Sequence, residues 1–188
     1  EWFESIFPDE ETNDNATFLD RLLSSEDPVS AAKRVSSFLD ILVNGSINQK
    51  QAIIGLIARR FSPAFAPALR QALQDPVPAV RVQAAAAAAT IEGRYSAQTF
   101  KLVERADKVA ASANDHQAAA LHLMEFAESG IPEVQRRDEA FAAALKHFDA
   151  VLRLAPNDVS ALSASAKIQL QCGNPSEAHE CVRRAITM

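Results

Sequence analysis

Apolar residues recur every three or four positions along most of the chain, and this spacing predicts amphipathic helices. No stretch alternates apolar and polar residues in the way that a half-buried strand requires. The pattern predicts helices over residues 16–24, 48–61, 63–74, 77–91, 96–111 and 116–128, with another opening at Asp27-Pro28 and ending at Asn44-Gly45. The sequence therefore predicts an all-α protein, built as an α-solenoid, a right-handed superhelix of antiparallel helix pairs.

Residues 62–92 form the clearest helix pair of the chain. Asp75-Pro76 should end the first helix, because a proline disfavours helical geometry in the residue before it. Pro78 then falls in the first turn of the second helix, where its missing N–H group costs nothing. The run of alanines at residues 84–89 favours helix strongly, and we expect Gly93 to end it. Since one such pair cannot bury its own apolar faces, it predicts neighbours of the same kind.

This stretch resembles a HEAT-type repeat through the pattern L-x-x-A-L-x-D-P-x-P-x-V-R-x-x-A. The matching residues are Leu69, Ala72, Leu73, Asp75, Pro76, Pro78, Val80, Arg81 and Ala84. In that family an aspartate and an arginine form a ladder that ties each turn to the next, and the resemblance implies this role for Asp75 and Arg81. We expect Arg81 to stabilise the fold through an ion pair, and this structural role is favoured over ligand binding by Arg81.

The C-terminal third resembles the tetratricopeptide repeat. Ala144, Phe148 and Pro156 stand at the spacing A-x3-F-x7-P of a second repeat helix. A fresh unit follows Asn157-Asp158, and its small residues and turn glycine match at Ala161, Leu162, Ala166, Gly173, Ala178 and Ala185. Gln169 and Val182 replace the usual tyrosine and phenylalanine. The resemblances predict a linker or juxtamembrane-like segment at 1–15, HEAT-like repeats at 16–112 and tetratricopeptide-like repeats at 113–188.

Composition and charge narrow the classes of partner. The chain has 188 residues and a formal net charge of −5, which argues against nucleic acid because phosphate binding needs a basic face. No apolar run is long enough to span a bilayer, although the first residue is Glu1, so a membrane segment upstream stays open. Two cysteines, Cys172 and Cys181, make no disulfide framework. We expect them to be small buried side chains, in a reducing, cytoplasmic compartment.

The sequence carries no motif typical of a catalytic or cofactor site. The four histidines are His116, His122, His147 and His179, and none stands at a zinc-binding spacing within one helix. Glu125 and Glu128 share a helix face, where a solvated pair is favoured over a general acid and base. Phosphate loops and hydrolase motifs are absent from the sequence. We therefore expect no enzyme activity, no cofactor and no metal.

The order of repeats is similar to that in the cytosolic region of the PelE family, part of the bacterial Pel apparatus for biofilm exopolysaccharide. The resemblance implies an adaptor tethered to the inner membrane through a segment absent from this chain. Such an adaptor would recruit a cyclic-di-GMP receptor and a glycosyltransferase on the cytoplasmic side. Two function classes remain: a protein–protein interaction scaffold, which we favour, and a HEAT-like lyase or regulatory subunit whose site residues are scattered.

The tetratricopeptide resemblance also predicts a partner surface. In that family the first helix of each pair lines a concave groove, which places Ser160, Ser163, Lys167 and Gln171 towards a partner. Lys167 is the one cation among them, so we expect an acidic segment or a chain carboxylate as the ligand. A solvated lysine is the alternative, and Arg59 and Arg60 mark a second surface in the N-terminal half.

Overall fold

The computed structural model describes residues 28–108 and 110–187, with side chains from residue 36 onward. Across these ranges it contains eight α-helices, one short 3₁₀ helix and no strand, so the prediction of an all-α fold is confirmed there. The predicted segment 1–15 and the predicted helix 16–24 lie outside the described residues. The superhelical arrangement stays a prediction.

The helices follow one another with short connections. They are α1 (Pro28–Asn44), α2 (Ile47–Arg59), α3 (Ala66–Leu73), α4 (Pro78–Ala106), α5 (Ala113–Glu128), α6 (Val134–Leu154), α7 (Val159–Gln171) and α8 (Pro175–Ile186), with the 3₁₀ helix Pro63–Phe65 before α3. Packing divides the chain into two compact units between Ala88 and Ala89, a point inside α4. The repeat patterns placed the change of repeat type elsewhere, between residues 112 and 113.

The core of the first unit is built from one face each of α1, α2 and α3, together with the first turns of α4. Its largest fully buried side chains are Phe38, Leu42, Ile53, Ile54, Ile57, Leu69 and Val80. The ring centroids of Phe38 and Phe65 lie 5.2 Å apart. A capping box begins α2, in which Ser46 and Gln49 each accept a hydrogen bond from the other's backbone N–H. Such reciprocal caps satisfy donors that the first turn leaves without intrahelical partners.

Asp75 and Arg81 lie at the predicted elbow, and in the described part of the chain their side chains are not paired with each other. The carboxylate of Asp75 is buried and instead accepts a hydrogen bond from Lys50 Nζ of α2 at 2.7 Å. Its second oxygen accepts from the N–H of Val77 at 2.8 Å. Arg81 is exposed and donates through Nη1 to the carbonyls of Asp75 and Pro76, at 2.8 and 2.9 Å. The buried partner of the aspartate is therefore a lysine, and Arg81 secures the turn.

The prediction that Gly93 ends a helix is wrong, because α4 continues through it to Ala106. A glycine inside a helix costs only about 1 kcal/mol relative to alanine, and the alanine-rich turns before it favour propagation. A Cβ atom at Gly93 would meet no heavy atom within 4 Å, so no close contact requires glycine there. The predicted helix 96–111 is consequently the later part of α4.

The second unit contains two helical hairpins, α5–α6 and α7–α8. Their shared core includes Phe126, Phe141, Ala144, Phe148, Val151, Ala161 and Ile168. The tetratricopeptide positions Leu162, Ala166 and Ala178 are also buried, whereas Ala185 and Gln169 are half-buried and Val182 is exposed. The buried small residues thus lie where helices cross. Gln169 and Val182, which replace the usual tyrosine and phenylalanine, contribute little to the core.

Caps and turns set the limits of these hairpins. Ser112 is the N-cap of α5, and Asp115 completes its capping box. Asp158 caps α7 by accepting from the N–H of Ala161 at 2.8 Å. Gly173 has φ +78°, a left-handed conformation that favours glycine, and it separates α7 from α8 as predicted.

Cys172 is exposed and Cys181 is half-buried, so the prediction that Cys172 is buried is wrong.

None of the helices in the described part combines the length and the apolar composition needed to cross a membrane.

Candidate functional site

The predicted partner residues lie along α7 on the side that faces α5, and we call this surface the α5/α7 face. Ser160, Ser163, Lys167 and Gln171 are all exposed. Gln117, early in α5, donates to Ser160 at 3.4 Å, and Glu128, at the end of α5, accepts from Gln171 at 3.0 Å. The two helices therefore run parallel, as do the first helices of successive tetratricopeptide pairs.

Lys167 is ion-paired on this face. Its ammonium group lies 2.7 Å from the carboxylate of Glu128, which also accepts the amide of Gln171. From the sequence alone, Lys167 is the one cation among the predicted partner residues, and Glu128 is predicted to be a solvated acid. An acidic ligand at this face would have to displace Glu128, so the geometry argues against the expected carboxylate site.

Replacing Lys167 with alanine should change the free energy of unfolding by less than about 1 kcal/mol, because half-exposed ion pairs contribute little. The side chains of Lys167 and Glu128 are 54% and 25% exposed, which places this pair in that class. Urea denaturation of the full chain measures the effect. A loss well above that size would show that Lys167 holds α5 and α7 together.

A deeper surface lies elsewhere in the second unit, where a groove of about 810 Å³ runs between the later part of α4 and the α5–α6 hairpin. We call it the apolar groove. One wall consists of Ser96, Thr99, Phe100, Val103 and Glu104 of α4, and it continues in Asp107 and Lys108 just beyond the helix. These positions recur every three or four residues, so they share one face of the helix. A volume of this size lies within the range of ligand-binding sites.

Apolar side chains form the floor and the opposite wall of the groove. Leu123 and Phe126 of α5 and Ala140 of α6 are each about nine-tenths buried. Phe100 stands on the α4 wall with 71% of its surface exposed. Phe100 joins Val103, Leu123 and Phe126 in one contiguous apolar surface, and such surfaces are typical of interaction sites.

Charged residues occupy both rims of the groove. Glu104 and Asp107 lie on the α4 side, and Glu139 lies on the α6 side. Arg136, also on the α6 side, is engaged by Glu92 in an ion pair. Carboxylates therefore outnumber uncommitted cations along the groove.

Tyr95 connects α4 to α5 at the edge of the groove. Its ring lies 5.2 Å from that of Phe126, and its hydroxyl donates to Glu125 at 3.2 Å. Burial, together with the charge of Glu125, raises the pKa of Tyr95 to about 12. His122 of α5 lies 3.2 Å from the carbonyl of Tyr95. These contacts hold the α4 wall against the hairpin, and Glu125 acts in them as a hydrogen-bond acceptor.

The structure also brings together two histidines that the sequence keeps apart. His116 near the start of α5 and His147 near the end of α6 are half-buried, and their Nδ1 atoms lie 3.1 Å apart. One ring must donate and the other accept, so only one of these nitrogen atoms carries the shared proton. In the described part of the chain, no group of three or more histidine, cysteine or acidic side chains is arranged to hold a metal ion.

The free energy of unfolding should fall on mild acidification because of the His116–His147 pair. Burial, with the nearby His116, holds the pKa of His147 below its usual value of 6.5, while Asp107 opposes the shift. The unfolded chain therefore binds more protons, and the contribution to stability is complete above about pH 6.5 and is lost as the pH falls towards the folded pKa. Urea denaturation across this range should show the slope.

A His147→Gln variant should flatten this pH dependence, because it removes the titrating group. His179→Gln is the matched control, since His179 is exposed on α8. An unchanged slope in the His147 variant would contradict the assignment.

One signal for the apolar groove is present in the sequence itself. The spacing of Phe100, Val103 and the polar residues between Ser96 and Lys108 already defines one helical face. The neighbours that turn this face into a groove come from two other helices, and helical periodicity does not identify them.

Comparison with known proteins finds no relative of this chain. No protein-family model matches the chain, and neither the curated proteins nor the solved structures contain a match.

Proposed function

We propose that this chain is a non-catalytic scaffold for protein–protein interaction, and that its apolar groove is the surface that receives a partner. The observation that carries the proposal is the exposed Phe100 beside the buried Leu123 and Phe126. Binding energy at protein interfaces concentrates in a few aromatic and large apolar residues that line well-packed pockets. The groove provides such residues on a helical frame.

The repeat resemblances support an α-solenoid as the architecture of this scaffold. In the second unit, two hairpins place α5 and α7 parallel, and small buried residues occupy the crossings. Solenoids bind partners along extended surfaces formed by successive repeats. An adaptor of a membrane-associated exopolysaccharide synthase, acting on the cytoplasmic side, is the finer proposal. It rests on the resemblance to the PelE family in the order of repeats.

Photo-crosslinking tests the scaffold proposal. A photoreactive amino acid is placed at position 100 of the chain in the cells of its source. Matched positions are Leu170, which is exposed on α7 outside the groove, and Ser163 on the α5/α7 face. We expect a discrete protein adduct from position 100 and none from position 170.

An adduct from position 163 alone would move the partner to the α5/α7 face. If none of the three positions gives an adduct, the scaffold proposal is contradicted.

A further inference from the structure

We infer that the apolar groove binds an amphipathic helix of a partner protein, with lysine or arginine on both flanks of the helix's apolar stripe. This inference rests on the proposed function and narrows the partner to one structural and chemical class. It follows from the length of the groove, from the apolar side chains between its rims and from the charges on those rims.

The dimensions of the groove fit a short helix. The helical part of the α4 wall extends from Ser96 to Glu104, a rise of about 12 Å at 1.5 Å per residue, and Asp107 and Lys108 continue the wall beyond the helix. A partner helix of about three turns covers that length. Its apolar residues at positions i, i+3 or i+4 and i+7 would form one stripe, which matches the single face that α4 presents.

The lining favours a helix over an extended peptide. Between the rims the groove offers apolar side chains, with the hydroxyls of Ser96 and Thr99 at one end. An extended strand would bring backbone N–H and C=O groups against this surface and leave them without partners. A helix satisfies those groups internally and presents only side chains.

The space between the walls has room for large anchors. Phe100 and Val103 stand on the α4 wall, while the facing α6 wall carries the small residues Ala140 and Ala143. Leucine or phenylalanine side chains of a partner would therefore meet the exposed ring of Phe100 above a floor of Leu123 and Phe126.

The rims determine the charge of the partner. Glu104 and Asp107 line one long edge, and Glu139 lines the other. Of the two cations, Arg136 is engaged by Glu92, and Lys108 lies two residues beyond the end of α4, at one end of the groove. Cations on both sides of the apolar stripe would each meet a carboxylate, whereas acidic flanks would be repelled.

Binding of three synthetic peptides to the full chain tests the inference. The first has about 14 residues, with leucines at helical spacing and lysines on both flanks. The second replaces each lysine with glutamate, and the third shuffles the first so that no apolar stripe remains. Fluorescence anisotropy should show the lysine peptide binding at least about tenfold more tightly than either of the others, with the preference shrinking as salt rises.

A charge-reversed variant of the protein provides the matched control. Glu104→Lys combined with Glu139→Lys should reverse the preference, so that the glutamate peptide binds more tightly. The inference would be overturned if the glutamate peptide or the shuffled peptide bound the parent protein as tightly as the lysine peptide does. So would an unreversed preference in the charge-reversed variant.

The two proposals fail separately. Adducts from position 100 without a preference for the lysine peptide would leave the scaffold proposal standing and remove this inference. No adduct from any of the three crosslinking positions would contradict the scaffold proposal, whatever the peptides do.

Discussion

Replacing Asp75 with alanine is expected to lower the free energy of unfolding by about 3–5 kcal/mol, because it leaves a buried ammonium group without its counter-ion. Asp75 and Lys50 are 3% and 7% exposed, and their charged atoms lie 2.7 Å apart. The hydrogen bond from Lys50, assisted by the N–H of Val77, holds the pKa of Asp75 below its usual value. The folded protein therefore stabilises the ionised carboxylate, and urea denaturation at neutral pH measures its loss.

Arg81→Ala is the control for this prediction. Arg81 is exposed, and the described hydrogen bonds of its guanidinium go to backbone carbonyls, so we expect a loss of about 1 kcal/mol. A double variant that carries Lys50→Met and Asp75→Leu should be more stable than the Asp75→Ala variant, because neither charge then stays buried alone. A larger effect from Arg81→Ala than from Asp75→Ala would restore the ladder that the HEAT resemblance implied.

Phe100→Ala should weaken binding of the lysine peptide by about 30-fold, the loss that corresponds to an aromatic hot spot of about 2 kcal/mol. The free energy of unfolding should change by less than about 1 kcal/mol, because alanine favours helix more than phenylalanine does. Most of the Phe100 side chain is already exposed. Anisotropy titration and urea denaturation of the same preparation separate the two effects.

Leu170→Ala is the matched control, since Leu170 is 62% exposed on α7, outside the groove. It should leave peptide binding unchanged. Equal binding by the Phe100 variant and the parent chain would contradict the role of the groove.

Much of the fold follows from local sequence rules. The Asp75-Pro76 elbow, the start of α4 at Pro78 and the turn at Gly173 all lie where the sequence predicts them. Each depends on the backbone preference of one residue or of its neighbour. Most small residues of the tetratricopeptide pattern are buried, because their spacing places them on one helix face, although Ala185 is only half-buried. Gly93 shows the limit of such rules, since a cost of about 1 kcal/mol does not stop a helix that its neighbours favour.

The pairs that define the sites join residues far apart in sequence. Lys50 and Asp75 are separated by 25 residues, His116 and His147 by 31, and Lys167 and Glu128 by 39. Helical periodicity indicates which face of a helix is buried, but it does not identify the helix that packs there. For this reason the sequence did not identify Lys50 as the partner of Asp75, or Glu128 as the partner of Lys167.

The most direct test of the groove as the partner site is competition in the crosslinking experiment. Cell extract containing the chain with the photoreactive residue at position 100 is irradiated with the lysine peptide or with its glutamate counterpart. We predict that the lysine peptide abolishes the protein adduct and that the glutamate peptide does not. An adduct that persists at saturating lysine peptide would show that the natural partner binds outside the apolar groove.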